Sequence, residues 1–166
     1  LKGITLIVTG AGSGMGRELT FQLLKKGASV AACDINETTL EETAALASAG
    51  GRIRTYVLNV ADTQKASALP ALVKKDFGSL HGIINNAGII QPFVKFSQLA
   101  PEAVERVMSI NFTGVITLTR AVLQELPADT VVAPFSFLSN GTPTFLPFVP
   151  VTPMLSSSPP AHGISR

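Results

Sequence analysis

The sequence predicts an α/β fold in which helices cover both faces of a parallel sheet. Short apolar runs alternate with segments of helical periodicity through the first 126 residues, and glycine-rich or polar turns separate them. Hydrophobic residues make up 46% of the 166 residues and charged residues 14%. This composition excludes a mostly disordered chain, and the length is sufficient for one domain with a buried core.

The first part of the pattern contains two buried strands, each followed by a helix. Residues 4–8 form a continuous apolar run, as expected of a strand covered on both faces. A helical pattern follows, and Gly27 is predicted to cap its C-terminal end. Residues 29–33 form the second strand, after which Asn36 is predicted to N-cap a helix that turns Leu40 inward.

The second part repeats the same arrangement with weaker signals. Residues 56–58 are the centre of a third strand, and the following helix, residues 63–76, is predicted to be interrupted by Pro70. Residues 82–85 form a short fourth strand, and a long helix extends over residues 101–126 with a proline in its first turn. Strands separated by helices of this length imply right-handed crossovers in one parallel sheet.

The last 40 residues differ in composition from the rest. Eight of the eleven prolines lie within 127–166. Residues 131–138 are a candidate fifth strand, although a proline within them argues against a central position in the sheet. We therefore expect an α/β domain over 1–138 and an irregular tail rich in proline and serine over 139–166.

Charge and cysteine content exclude several classes of partner. The net charge is +2 and the basic residues are scattered, so no nucleic-acid partner is expected. The apolar run near the beginning is too short for a membrane span, so no membrane partner is expected either. His81 has no neighbour at metal-ligand spacing, and we expect no metal site. Cys33 is the only cysteine, which fits a reducing, cytoplasmic setting.

A glycine-rich turn lies between the first strand and the first helix, at residues 9–16. Glycines allow a tight turn, let the backbone approach a pyrophosphate, and bring the helix close to the strand. The free N–H groups at the start of the helix favour an anion. The alternative is a tight turn without a ligand. The residues predicted to contact a dinucleotide here are Gly10, Ser13, Gly14, Met15 and Gly16.

Asp34 lies at the end of the second strand, 18 residues after Gly16. A carboxylate at this position accepts hydrogen bonds from the adenosine ribose hydroxyls and repels a 2′-phosphate. The next residue, Ile35, is also predicted to contact the cofactor, and neither Ser13 nor Ile35 offers a positive charge that would hold such a phosphate. NAD is therefore favoured over NADP as the cofactor. The alternative is an aspartate that only caps a helix or a turn.

These motifs together resemble the short-chain dehydrogenase/reductase family. The turn matches its Thr-Gly-x-x-x-Gly-x-Gly signature, and residues 85–88 match its Asn-Asn-Ala-Gly motif. The dipeptide at 59–60 replaces the family's usual Asp-Val beside the adenine. The resemblance implies a Rossmann-type doubly wound parallel sheet, three-layer α/β/α, with strand order 3-2-1-4-5. It adds five cofactor contacts: Asn59, Val60, Asn86, Ala87 and Gly88.

The resemblance also implies two catalytic residues. Asn111 is the one polar member of an apolar face on the long helix that includes Val104, Met108, Leu118 and Val122. A buried amide of this kind must be hydrogen-bonded, and a purely structural role is the simpler interpretation. In the family, the corresponding asparagine holds a water in a proton relay. Ser139 matches the serine that polarises the substrate carbonyl.

The resemblance ends before the family's acid/base pair. The family transfers a hydride between nicotinamide and a carbonyl or alcohol carbon, with a tyrosine as general acid/base and a lysine four residues later. Here Tyr56 is the only tyrosine and Lys95 is the last lysine. One of the two helices that commonly form the family's dimer interface would have carried that pair, so homo-oligomerisation is doubtful.

Three interpretations remain open for a chain that looks truncated on the C-terminal side. It is an NAD-dependent oxidoreductase by family, acting on a small-molecule alcohol or carbonyl substrate, but catalytically incomplete. It is alternatively a non-catalytic NAD-binding or interaction module, or a fragment without function. The change in composition near residue 127 suggests a tail out of register with the original coding sequence. Absence of Tyr-x-x-x-Lys from every neighbouring reading frame would exclude that hypothesis.

Overall fold

The structure, a computed structural model, describes residues 1–126. The strands are β1 (Thr5–Thr9), β2 (Ser29–Asp34), β3 (Ile53–Val57) and β4 (Gly82–Ile84). The α-helices are α1 (Gly14–Lys25), α2 (Glu37–Ala47), α3 (Thr63–Phe77), α4 (Pro101–Met108) and α5 (Val115–Glu125). A 3-10 turn spans Phe96–Gln98, and a π-helical segment, Ser109–Gly114, joins α4 to α5.

The four strands form one parallel sheet in the order β3-β2-β1-β4. In the register, Ile7 of β1 lies beside Ala31 of β2 on one side and Ile83 of β4 on the other. The predicted order of the first four strands is therefore confirmed. The predicted fifth strand at 131–138, Ser139 and the tail 139–166 lie outside the described residues.

Helices cover both faces of this sheet, as the three-layer prediction requires. Side chains alternate between the faces along β2. Val30 and Ala32 belong to a buried cluster with residues of α1 and α2, whereas Ala31 and Cys33 belong to a second cluster with residues of α3 and α5. Burial on both faces is the reason why the strands are apolar runs rather than alternating patterns.

Local capping residues set the ends of the first two helices. Gly27 has a φ of 88°, and its N–H donates to the Leu24 carbonyl while the Ala28 N–H donates to the Leu23 carbonyl. This pattern is a Schellman motif, which confirms the predicted cap. The Asn36 side chain accepts a hydrogen bond from the Thr39 N–H at 3.1 Å, as expected of an N-cap.

The predicted interruption at Pro70 is wrong, because α3 continues through it from Thr63 to Phe77. Pro70 lacks the N–H that would bond to the preceding turn. Its ring is instead fully buried, on the same inner face as Leu69 and Val73. Burial of apolar surface at this position offsets the lost hydrogen bond.

The apolar face predicted for the long helix is buried only in its second half. Leu118 and Val122 are buried, but Val104 and Met108 are exposed. The reason is that α5 packs against α3 and β4, whereas α4 packs mainly against the π-helical segment that continues it. Within residues 1–126, no helix has the length and apolar character needed to cross a membrane.

Candidate functional site

A groove of about 400 Å³ lies at the carboxyl end of the sheet. It is located where β1 is flanked by β2 and β4, the point at which the chain changes sides in the sheet and where such folds bind ligands. Eleven of the twelve residues predicted to contact a cofactor line this groove: Gly10, Ser13, Gly14, Met15, Asp34, Ile35, Asn59, Val60, Asn86, Ala87 and Gly88.

The glycines of the turn fit the close approach of a ligand and of neighbouring backbone. A Cβ at Gly10 would lie 2.8 Å from Asn86 Nδ2, and a Cβ at Gly16 would overlap the Gly10 carbonyl oxygen. Gly16 is therefore buried beneath the loop and does not line the groove. Gly14 has a φ of 49°, and a Cβ there would meet no atom within 4 Å, so its open side faces free space. The turn thus leaves room for a bulky ligand group.

The start of α1 gives this side of the groove a positive character. Ser13 precedes α1 with extended backbone, and its side chain makes no capping hydrogen bond. Gly14 and Met15, the first residues of the helix, line the groove. The first N–H groups of a helix have no partner within it and carry a partial positive charge. The groove is therefore suited to an anionic group such as a pyrophosphate.

Asp34 is fixed by two backbone donors. The Gly12 N–H donates to Oδ2 at 2.9 Å, and the Asn36 N–H donates to Oδ1 at 3.0 Å. The residue is half-buried, and the exposed Ile35 follows it along the groove. Each carboxylate oxygen retains a further lone pair, so the group can still accept hydrogen bonds from a ligand hydroxyl.

The Asn-Asn-Ala-Gly motif is tied to the glycine loop through Thr9. The N–H groups of Asn86 and Ala87 both donate to Thr9 Oγ1 at 3.0 Å. The Asn86 amide also donates to the Thr9 carbonyl at 3.0 Å. On the far side of the groove, Asn59 Oδ1 accepts from the Ala61 N–H, which fixes the turn after β3. The contacts of Thr9 join two motifs that are separated in sequence, and Asn59 lines the same groove.

Asn111 lies next to this edge, but it is exposed, so its predicted burial is wrong. It lies in the π-helical segment, where its Oδ1 accepts from the Ile89 N–H at 2.9 Å and its Nδ2 donates to the Ile89 carbonyl at 2.7 Å. The amide is therefore hydrogen-bonded, as expected, and it anchors the segment that follows Gly88. A Cβ at Gly88 would lie 3.5 Å from Asn111 Oδ1.

The structure adds five residues to the groove that the sequence analysis did not assign. Four are apolar neighbours of predicted positions along the chain, and the fifth is a cation on α4. Adjacency to assigned motifs could have identified most of them, but no motif marks the cation. These residues are Cys33, Leu58, Ile89, Ile110 and Arg106. Cys33 is fully buried, and burial raises the pKa of its thiol well above the ordinary value, so the thiol remains protonated.

Tyr56 lies on β3 and is not among the residues that line the groove. Its hydroxyl donates to Asp76 Oδ2 at 2.8 Å. Partial burial, reinforced by this hydrogen bond, raises the pKa of Tyr56 above its ordinary value. A tyrosine that acts as general acid/base near neutral pH needs the opposite shift. Within residues 1–126, no group of three residues is arranged to hold a metal ion.

The fold is an α/β sheet with a groove at its switch point, the position at which sheets of this kind bind nucleotides. The family model described as short chain dehydrogenase matches residues 5–131. The chain belongs to this family, whose members bind a nicotinamide dinucleotide and act on small-molecule substrates as oxidoreductases.

Two curated relatives illustrate the sequence similarity. The protein named "Probable oxidoreductase EphD" of Mycobacterium tuberculosis is 40% identical over 126 residues, covering 75% of this chain and 21% of that protein. The 2,5-dichloro-2,5-cyclohexadiene-1,4-diol dehydrogenase of Sphingobium indicum is 39% identical over 114 residues, covering 69% of this chain and 45% of that protein. The chain therefore spans less than half the length of these relatives.

Solved structures give the same result for the fold. A short-chain dehydrogenase/reductase of Brucella melitensis, described as glucose/ribitol dehydrogenase, matches with a TM-score of 0.73 at 28% identity, covering 78% of this chain and 53% of that one. A 3-ketoacyl-(acyl-carrier-protein) reductase from the same organism, solved with NADH, matches with a TM-score of 0.71 at 26% identity, covering 75% and 50%.

Proposed function

We propose that this chain binds NAD in the groove and is the cofactor-binding part of an NAD-dependent alcohol or carbonyl oxidoreductase. The position of Asp34 is the observation that carries the proposal. Its carboxylate borders the groove at the end of β2, held by the backbone of Gly12 and Asn36. A carboxylate fixed there accepts hydrogen bonds from ribose hydroxyls, and its negative charge repels a 2′-phosphate.

The remaining contacts follow from the geometry of the loop. The N–H groups at the start of α1 receive the pyrophosphate, and Gly14 leaves the space for it. Asn59, Val60, Ala87 and Gly88 border the rest of the groove. The bound nicotinamide would supply or accept a hydride at a carbonyl or alcohol carbon. The solved relative that holds NADH supports a dinucleotide in a groove of this kind.

The catalytic assignments stay predictions. The Asn111 side chain makes two hydrogen bonds with Ile89, one through a lone pair of Oδ1 and one through an N–H of Nδ2. The second lone pair and the second N–H remain available for a water in a proton relay. Ser139 lies outside the described residues, and so does the boundary between the proposed domain 1–138 and the tail 139–166. The single, buried Cys33 supports the proposed cytoplasmic setting.

A second candidate is a non-catalytic NAD-binding module. The sequence contains no Tyr-x-x-x-Lys, and its only tyrosine donates a hydrogen bond to Asp76. We therefore expect the 166-residue chain to bind NAD without reducing it in the presence of small alcohols. Absorbance of the reduced nicotinamide at saturating NAD, against NAD alone, measures this difference. Turnover above that background would contradict catalytic incompleteness.

The decisive experiment is a thermal melt of the chain with NAD, with NADP and without ligand. A ligand that binds only the folded state raises the midpoint temperature of unfolding. At a ligand concentration a hundredfold above Kd, it adds about 2.7 kcal/mol to the free energy of unfolding. We expect a larger shift with NAD than with NADP, and we expect Asp34→Asn to reduce that difference. Asp62→Asn is the matched control, because the Asp62 side chain also accepts a backbone N–H, from Lys65, but it caps α3 and does not line the groove. The absence of any shift would refute dinucleotide binding, and a larger shift with NADP would reverse the assigned preference.

A further inference from the structure

Arg17 joins the glycine loop to α2 through four side-chain hydrogen bonds. Its Nε donates to Thr43 Oγ1 at 2.9 Å, and its Nη2 donates to the Gly12 carbonyl. The same Nη2 donates to the Thr39 carbonyl and to Glu42 Oε2, each at 3.1 Å. The side chain is 24% exposed and does not line the groove. Arg17 is therefore engaged entirely with the protein and not with the ligand site.

The backbone of Gly12 connects Arg17 to Asp34. In a trans peptide, the carbonyl and the N–H point in opposite directions. The buried Thr43 hydroxyl has two acceptors for its one proton, the Ala11 and Thr39 carbonyls, each 3.0 Å away. The Gly12 N–H, in the same peptide as the Ala11 carbonyl, donates to Asp34 Oδ2 at 2.9 Å. Arg17 holds both the Gly12 carbonyl and Thr43, so it fixes Gly12 from two sides.

The space around Gly12 leaves little freedom for any other arrangement. A Cβ at Gly12 would lie 2.5 Å from Thr39 Oγ1 and 2.9 Å from Asp34 Oδ2. The loop, the start of α2 and the carboxylate therefore meet at one point. The orientation of Asp34 depends on how the loop lies against α2, which is the interface that Arg17 spans.

We propose that Arg17 is a positioning residue for the ribose-binding carboxylate. It holds the Gly12 backbone, and through it Asp34, in the orientation that accepts ribose hydroxyls and rejects a 2′-phosphate. This inference rests on the NAD preference proposed above. It assigns to a residue outside the groove a share of the discrimination between NAD and NADP.

The opposite role for this cation is physically distinct. A guanidinium that shares Gly12 with Asp34 as a hydrogen-bond partner could instead bind a 2′-phosphate directly. It would first have to leave two backbone carbonyls, a hydroxyl and a carboxylate, three of which it contacts with one nitrogen. The two roles predict opposite results when the arginine is removed. The Kd for NADP divided by the Kd for NAD should fall if Arg17 positions Asp34, and it should rise if Arg17 binds the phosphate.

Calorimetric titration of the 166-residue chain with NAD and with NADP tests the proposal. We expect Arg17→Met to raise the Kd for NAD about tenfold or more, as expected for loss of hydrogen bonds from a charged donor. The Kd for NADP should rise much less, because the misplaced carboxylate repels its phosphate less. Arg17→Lys retains the charge but not the fork of donors, and it should restore only part of the NAD affinity.

Arg52→Met is the matched control. Arg52 is also half-buried and also holds backbone carbonyls, donating to Leu24 at 2.7 Å and to Ala28 at 3.1 Å, but it precedes β3 at the opposite end of the sheet. Urea unfolding of each variant measures the loss of stability, which we expect to be similar for Arg52→Met and Arg17→Met. Arg52→Met should leave both Kd values unchanged.

Each other outcome overturns the inference in a recognisable way. Suppose that wild type binds NAD but that Arg17→Met leaves the ratio of the NADP and NAD Kd values unchanged. Arg17 then has no positioning role. Arg17→Lys takes the place of Arg17→Met in this test if the methionine variant does not fold. A selective loss of NADP would mean that Arg17 binds the phosphate itself. A wild-type chain that binds neither dinucleotide overturns the proposed function and this inference with it.

Discussion

The glycine loop and the segment that carries Asn111 lie side by side, yet they are built differently. In the loop, the Ala11 N–H donates to the Cys33 carbonyl and the Gly12 N–H donates to Asp34. Arg17 donates to the Gly12 carbonyl, and the Thr43 hydroxyl lies 3.0 Å from the Ala11 carbonyl. The segment from Ile89 onward is attached chiefly through the two hydrogen bonds between Asn111 and Ile89.

Burial follows the same division. The loop is underlain by the fully buried Val8 and Ala11, whereas Phe93 is 91% and Phe96 is 89% exposed in the other segment. The Asn85 amide oxygen, four residues before that segment, is buried without a partner among the described residues. Within residues 1–126 the glycine-loop side of the groove is therefore closely packed, whereas the opposite side exposes large apolar side chains.

The largest effect should come from filling the space beneath the loop. Gly16→Val places a side chain against the Gly10 carbonyl and Asn86 Nδ2, neither of which can move without dismantling the turn. We expect a loss of more than about 4 kcal/mol in the free energy of unfolding, measured in urea, together with loss of NAD binding.

Gly50→Ala is the control for that substitution. Gly50 has a φ of 46°, and a Cβ there would meet no atom within 4 Å. Only left-handed backbone strain remains, about 1 kcal/mol, and NAD binding should persist. Equal losses from the two variants would show that close packing beneath the loop is unimportant.

A second pair of variants compares the two halves of the long helix directly. Leu118→Ala removes a fully buried side chain from the contact of α5 with α3, and we expect it to cost about 3 kcal/mol of unfolding free energy. Phe112→Ala, one and a half turns earlier, removes an exposed side chain and should change stability by less than about 0.5 kcal/mol. A large loss from Phe112→Ala would mean that this face is covered in solution.

The same division explains what the sequence could predict. Apolar runs buried on both faces indicate β1 and β2, because these signals are local and strong. The order of the four strands is not a local signal, and its prediction comes from the family resemblance. The groove residues follow from motifs whose backbone chemistry is also local. The prediction for Pro70 is wrong because the side chain's burial, which keeps α3 intact, depends on the tertiary packing of that helix.

Asn111 shows the corresponding limit in the second region. Its place in an apolar pattern predicts burial, but periodicity does not reveal which part of a helix another element covers. The π-helical turn around it has no sequence signature in such a pattern. Arg106 and Arg17 escape sequence reasoning for a related reason, since each acts through the tertiary position of its side chain and not through a motif.

A moderate effect should follow from releasing the Asn111 anchor. Asn111→Ala removes both hydrogen bonds to Ile89, and we expect a loss of about 1 kcal/mol and faster amide hydrogen exchange at Ile89. Asn111→Asp retains the acceptor for the Ile89 N–H and should preserve most of that protection. Unchanged exchange at Ile89 in the alanine variant would show that other contacts hold the segment.

The smallest effect concerns Tyr56, on the well-packed side of the molecule. Tyr56→Phe removes the hydrogen bond to Asp76 and should cost about 1 kcal/mol or less at pH 8. The folded-state pKa of Tyr56 is raised, so the native state binds the proton more tightly than the unfolded chain does. The stabilisation is therefore complete below the ordinary tyrosine pKa of about 10 and is lost as the pH rises above it.

Urea unfolding at pH 8 and pH 11 should show wild type losing more stability than Tyr56→Phe across that interval. Burial also raises the pKa of the Cys33 thiol, and this contribution is common to both proteins apart from its charge interaction with Tyr56. If both proteins lose the same amount of stability, the Tyr56 hydroxyl is not hydrogen-bonded to Asp76 in solution. The link that this bond makes between β3 and α3 would then be absent.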